Sequence, residues 1–332
     1  METQIFSKDQ IDQAVELLSK GDLVAFPTET VYGLGALATN EKAVKGVYAA
    51  KGRPSDNPLI VTVSSPEMMA RYVEQIPETA KKLIKHFWPG PLTIILNVKD
   101  GALPTAVTGG LPTAAFRNPQ DELTQELISK LDAPIVGPSA NTSTKPSPTT
   151  AQHVYHDLKG KIAGIVDNGP TKIGLESTIV DLSVGTPIVL RPGEITPEQL
   201  SEVLGTEVLM NKGTTQTKGV PKAPGMKYRH YAPSAPVYIV DEVEDFKKIE
   251  FNDQIAVVAL RDVLKTISTN NTFDLGKNID EAAHNLFGAL RYFDEQKNIK
   301  TIYVQGFDQG DISAAYMNRL NKAAAGHHYI NK

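Results

Sequence analysis

Along the first two hundred residues, short apolar runs rich in β-branched residues alternate with stretches whose apolar positions recur every three to four residues. The second pattern predicts helices at IDQAVELLSK (11–20), EKAVKGVYAAK (41–51), ETAKKLIKHFW (78–88), DELTQELISKL (121–131) and TPEQLSEVLG (196–205). The first predicts strands at DLVAFPT (22–28), PLIVTVSS (58–65), PLTIILNV (91–98), APIVGPS (133–139), KIAGIVDN (161–168), ESTIVDLS (176–183) and PIVLRPG (187–193). Such alternation is an α/β pattern, a sheet layered with helices. A shorter series runs from residue 237 through VYIVD, QIAVVALRD, IDEAAHNLFGALRYFDE, TIYVQGF and DISAAYMNRLNKAAAG, and reads as a smaller α/β unit with an open, Rossmann-like sheet. Between the two lies NKGTTQTKGVPKAPGMKYRHYAPSAP, rich in Gly, Pro, Thr and Lys, which reads as a linker. The expected division is 1–210, 211–236 and 237–332.

Charge sharpens that division. Residues 1–210 carry 18 Lys/Arg against 24 Asp/Glu, and residues 237–332 carry 11 against 14. The linker carries five cations and no acid, so the only net positive segment joins two acidic ones. A net charge of −4 provides no global basic field for nucleic acid. Composition is otherwise that of a globular protein, 41% hydrophobic and 22% charged over 332 residues. With no cysteine, disulfides, thiolate nucleophiles and Cys-based zinc sites are excluded together. No apolar run approaches the ~20 residues of a membrane span, and METQIFSKDQ lacks the layout of a secretory signal. The expectation is a cytoplasmic protein with no membrane partner.

The candidate chemistry lies at strand ends, where α/β sheets place ligand contacts. KGRPSDNPLI sets Lys51 and Arg53 two apart; in an extended segment both would project from one face. Arg is a planar fork suited to carboxylate or phosphate and Lys is a point charge. The alternative is a pair of solvated cations complementing a helix C-terminus. PTETVYGLG, residues 27–35, offers small hydroxyls, an acid and a tyrosine, or else simple turn and cap chemistry. In GPSANTSTKPSPTT, Ser139 and Asn141 again stand two apart, and hydroxyl and amide donors can hold phosphate oxygens without adding charge. LESTIVD brings Ser177 and Thr178, and VLRPGE brings Arg191 before a Pro-Gly turn. Gly33, Gly35 and Ala38 match GxGxxA, but Glu29 to Tyr32 separate them from the strand that should feed a dinucleotide turn. A glycine-rich turn between strand and helix is the expectation there. P-loop, HExxH and GxSxG motifs are absent.

Taken in order, PTETVYGLG, KGRPSDNPL, PSANTS, LEST, RPG and the linker sequence PGMKYRHYAP resemble the two-domain threonylcarbamoyl-AMP synthases, over essentially the whole chain to NRLNKAA. The resemblance implies a YrdC-like twisted mixed-sheet domain with a central, positively charged cavity, followed by a Rossmann-like α/β domain. It implies a nucleotidyltransferase reaction in which L-threonine, bicarbonate or CO2, and ATP give threonylcarbamoyl-AMP and pyrophosphate. The product would serve N6-threonylcarbamoyladenosine modification of tRNA, completed by a downstream transferase complex, with a weak tRNA contact as a further expectation. Mg2+ would arrive with ATP.

On that resemblance Lys51 would neutralise triphosphate and transition-state charge, and Arg53 would take the threonine carboxylate. Thr28, Tyr32 and Ser177 would line the threonine pocket. Asn57, Ser139, Asn141 and Arg191, together with His230 and Tyr231 of a linker closing over the site, would hold the nucleotide. The stretch GGLPTAAFRNP departs from the family's pattern, which makes Arg117 a weaker candidate than Arg191. Two competitors are an RNA-binding module of YrdC type, and a carbamoyl-adenylate enzyme of hydrogenase maturation, which normally carries zinc-finger segments that a Cys-free chain lacks.

Overall fold

The computed structural model describes residues 2–55, 57–211, 222, 230–308 and 310–330. They form two compact units, the first made of residues 1–143, 148–172 and 176–227, the second of residues 144–147, 173–175 and 228–332. No helix among the described residues is long and apolar enough to cross a membrane.

The first unit is built on eleven strands: β1 (Gln4–Phe6), β2 (Val24–Phe26), β3 (Gly33–Leu37), β4 (Ile60–Thr62), β5 (Leu92–Asn97), β6 (Thr113–Arg117), β7 (Ile135–Val136), β8 (Gly164–Val166), β9 (Thr178–Asp181), β10 (Ile188–Arg191) and β11 (Leu209–Met210). They order as β1-β8-β2-β3-β7-β4-β6-β5-β9-β10-β11, with parallel and antiparallel pairings mixed. The helices are α1 (Ile11–Ser19), α2 (Glu41–Lys51), α3 (Pro66–Ala70), α4 (Glu78–Phe87), α5 (Thr105–Thr108), α6 (Glu122–Leu131), α7 (Ala151–Leu158) and α8 (Pro197–Leu204). Periodicity located α1, α2, α4, α6 and α8 but not α3, α5 and α7; in α1 Ile11, Ala14 and Leu18, and in α6 Leu123, Leu127 and Ile128, bury into one core. Local caps fix their starts, with Asn40, Asp121 and Thr150 each accepting from a backbone N–H of the first turn.

The glycine-rich stretch 33–37 is a strand rather than the expected turn. β3 pairs antiparallel with both β2 and β7. The reason is tertiary: a Cβ on Gly33 would stand 2.5 Å from the ring of Phe26, and one on Gly35 would stand 2.7 Å from the carbonyl oxygen of Val24. Glycine here makes room for a cross-strand aromatic ring, which is one of its recognised uses within a sheet.

In the second unit, β12 (Val237–Val240), β13 (Ile255–Ala259), β14 (Thr272–Asp274) and β15 (Thr301–Gln305) form an all-parallel sheet in the order β12-β15-β13-β14. Helices α9 (Arg261–Leu264), α10 (Ile279–Asp294) and α11 (Asp311–Ala323) complete it. α10 starts at the Asn278 cap and buries Ala282, Ala283, Leu286, Phe287 and Leu290. Within this unit Arg291 donates to the carbonyl of Pro146 at 2.6 Å, and Lys145 pairs with Asp294 at 2.7 Å. Asp294 is half-buried; burial pushes its carboxyl up, but hydrogen bonds from Lys145 and Ser234 outweigh this and hold it below the usual range.

Candidate active site

Lys51 is the last residue of α2, and Gly52 ends the helix in the left-handed conformation at φ 62°. The segment is therefore not extended at this point. Lys51 is buried, at 3% exposure. Its Nζ donates to the carbonyl oxygen of Ser139, to that of Asn141 at 2.8 Å and to Asn141 Oδ1 at 3.4 Å. In return the N–H of Ser143 donates to the carbonyl of Lys51 at 2.8 Å. Two motifs ninety residues apart in sequence are thus one structure. Burial of an ammonium is tolerable because oxygen acceptors surround it.

Arg53 lies 5.9 Å from the ring centroid of Tyr48. It lines a cavity of about 840 Å³ together with Tyr48, Thr105 and Gly109. Nearby, Asn57 is fully buried, and neither its Nδ2 nor its Oδ1 has a hydrogen-bond partner among the described residues. A buried amide without partners is uncommon in a finished core, which makes Asn57 a candidate ligand contact.

The β3 motif joins the same turn. The N–H of Leu34 donates to the carbonyl of Pro138 at 2.7 Å, and that of Ala140 to the carbonyl of Tyr32 at 2.9 Å. Thr28 and Thr30 are buried, their hydroxyls 2.9 Å apart. Thr28 Oγ1 also donates to the carbonyl of Val31 at 2.6 Å, so this hydroxyl shapes the loop after β2. Tyr32 is fully buried with its phenol donating to the carbonyl of Gly169 at 2.7 Å, and burial pushes that phenol's pKa up.

From the turn a polar strip crosses the sheet. A Cβ on Gly137 would stand 2.6 Å from Thr62 Oγ1, so the strand leading to Ser139 lies directly against Thr62. Thr62 is in register with Arg117, Arg117 with Thr93, Thr93 with Ile179, and Ile179 with Arg191. Partners in register share a face. Thr93 and Ser177 share a hydrogen bond of 2.7 Å, and both are fully buried. Arg191 Nε donates to the carbonyl of Ser177 at 3.0 Å and its Nη2 to Ser177 Oγ at 3.2 Å. Gly193 permits this junction of LEST and RPG, because a Cβ there would stand 2.3 Å from the backbone nitrogen of Thr178.

Sequence reading missed Thr62 and Thr93, which look like ordinary strand threonines, and undervalued Arg117. Arg117 is 7% exposed and its Nη2 lies 2.9 Å from Oε2 of Glu29, itself 4% exposed. The signal available was an arginine closing an otherwise apolar TAAF strand. Beside this pair, Thr28, Glu29, Gln120, Asp121, Asn168 and Lys172 line a further cavity of about 510 Å³. His230 and Tyr231 belong to the second unit, where the Tyr231 ring lies 5.0 Å from that of Phe287. Of the linker, residues 212–221 and 223–229 lie outside the described residues, and with them the expected closure over the site. Lys222 is described, and pairs with buried Asp181 at 2.9 Å.

Two family models match the chain. One, described as "Telomere recombination", spans residues 16–193; the other, the C-terminal domain of threonylcarbamoyl-AMP synthase, spans 195–325. Threonylcarbamoyl-AMP synthase of Bacillus subtilis is 45% identical over 96% of this chain and 93% of its own length. That of Pyrococcus abyssi is 44% identical over 94% of this chain and 93% of its own. Among solved structures, P. abyssi Sua5 complexed with L-threonine matches with a TM-score of 0.89 and 41% identity, covering 98% of this chain and 99% of that one.

Proposed function

Because the chain belongs to the two-domain threonylcarbamoyl-AMP synthase family, with both domain models and nearly full-length relatives matching it, we propose that it converts L-threonine, bicarbonate or CO2, and ATP into threonylcarbamoyl-AMP and pyrophosphate. The observation that carries this reading in the geometry is the junction of Lys51 with the Ser139–Asn141 turn, continued through Thr62 and Arg117 to the Ser177–Arg191 pair. It is a buried strip of cations and hydroxyls, suited to holding anions.

The chemistry requires no covalent intermediate on the protein. The threonine amine attacks CO2, a carbamate oxygen attacks the α-phosphorus, and pyrophosphate leaves. Rate comes from positioning and charge neutralisation. In this scheme Lys51 holds the Ser139–Asn141 turn in shape and supplies its charge to the triphosphate. Asn57 and Arg191 contact the nucleotide, and Ser177 contacts threonine or the carbamate. Two guanidinium groups can take the threonine carboxylate, Arg53 and Arg117. Burial and a place in register between Thr62 and Thr93 favour Arg117, which leaves Arg53, beside Tyr48, for the nucleotide. Among the described residues no group of three or more His, Asp or Glu side chains could hold a metal ion, so Mg2+ enters the scheme on the triphosphate. The product's mixed anhydride would pass to a tRNA-modifying transferase.

The test is pyrophosphate release from ATP with bicarbonate, comparing L-threonine with L-serine, L-valine and no amino acid. Release that depends on threonine is expected. Release independent of amino acid, or tRNA binding without any release, would overturn the reading in favour of another carbamoyl chemistry or an RNA-binding module.

A further inference from the structure

Glu29 lies in the loop after β2 and is 4% exposed. Its Oε2 lies 2.9 Å from Arg117 Nη2 and accepts the backbone N–H of Gln120 at 3.1 Å. Among the described residues its Oε1 is buried with no hydrogen-bond partner, and so are Nε and Nη2 of Arg117, the Nη2 contact with Glu29 being an ion pair without hydrogen-bond geometry. A desolvated ion pair with unmatched atoms is a poor device for stability, since apolar residues of similar volume commonly do as well. An arginine held by an ion pair at Nη2, with Nε lacking an acceptor among the described residues, has instead the form of a receptor for a second anion. Thr62 and Thr93, in register on either side of Arg117, supply neighbouring hydroxyls on the same face.

We infer that Glu29 is a positioning residue for the amino-acid substrate: it orients the Arg117 guanidinium so that its Nε edge meets the α-carboxylate of L-threonine. The inference rests on the proposed synthase activity. Glu29 is itself fixed at one end by the Gln120 N–H, so the anchor is tied to the turn that leads into α6. Without the anchor, Arg117 retains its charge but loses its fixed direction, and a planar fork that is not aimed binds a carboxylate as weakly as a point charge.

The test compares wild type, Glu29→Gln, Glu29→Asp, Arg117→Lys and the double variant Glu29→Gln/Arg117→Lys. Two quantities are read: the Kd of L-threonine alone by calorimetry on the full chain, and KM for each substrate by pyrophosphate release. Glu29→Gln should raise Kd and KM for threonine about tenfold while KM for ATP stays within about twofold. Glu29→Asp should recover part of the loss. In the Arg117→Lys background the Glu29→Gln change should add less than about twofold, because its effect passes through Arg117. An unchanged threonine Kd in Glu29→Gln, equal effects on both substrates, or an undiminished effect in the Arg117→Lys background would each overturn the inference. Should circular dichroism show Glu29→Gln unfolded, Glu29→Asp carries the same comparison, and a threonine-selective loss is again the supporting result. Failure of the synthase reading looks different: wild type itself would show no threonine-dependent pyrophosphate release.

Discussion

Replacing Lys51 by Met separates two roles for this cation. Met keeps most of the buried stem and removes only the ammonium. In the structure that ammonium donates to the carbonyls of Ser139 and Asn141 and to Asn141 Oδ1, all at a residue 3% exposed. Stranding a buried acceptor costs ~1–3 kcal/mol, and bonds to a charged donor are the stronger class. The Ser139 carbonyl still accepts the N–H of Asn141 at 3.0 Å, so the loss falls on the Asn141 carbonyl and costs about 1–3 kcal/mol, reduced by relief of the ammonium's own desolvation; about 2 kcal/mol is a fair centre. At ~2–4 °C per kcal/mol for a domain of this size, the first unit should melt about 4–8 °C lower. Differential scanning calorimetry of the full chain reads this, alongside pyrophosphate release, which should fall because the Ser139–Asn141 turn loses its fixed shape. A melting temperature within about 2 °C of wild type, with activity abolished, would refute the keystone role and leave Lys51 a phosphate ligand only.

Two further outcomes follow from buried polar groups. Asn57→Ala removes a fully buried amide that has no partner among the described residues, so melting should be unchanged or slightly higher, while KM for ATP rises about tenfold; a large fall in melting temperature would show the amide to be structural. Asp121 caps α6, and burial raises its carboxyl pKa, a direction reinforced by the charge of Glu29 and opposed by hydrogen bonds from Asn168 and Thr124. A carboxylate with a raised folded pKa favours the fold below its unfolded pKa of ~3.9, and that contribution disappears as pH rises through the folded value. Asp121→Asn, which keeps a capping acceptor, should therefore gain stability relative to wild type near pH 7, with the gain closing toward pH 4. Chemical denaturation across that range checks the sign, and a variant weaker at pH 7 that converges at low pH would refute it.

The chain by itself determined the α/β alternation, the helices α1, α2, α4, α6 and α8, and the motifs at strand ends, because amphipathic periodicity and capping act within a few residues. It also carried the family resemblance, since the motifs keep their order along the sequence. What only tertiary structure decided is where long-range packing overrides local preference. Gly33 and Gly35 signal a turn locally, yet form β3 because the Phe26 ring occupies the space their side chains would need. Lys51 is open locally to either an anion-binding or a solvated reading, and its burial is decided by the turn at Ser139–Asn141, which brings carbonyl oxygens around it. Arg117 and Glu29 are eighty-eight positions apart, and no periodicity links them; register between β4, β6 and β5 sets the arginine in the polar strip. Proximity between distant residues follows from strand order, which is the outcome of burying the whole core and is not written at any single position.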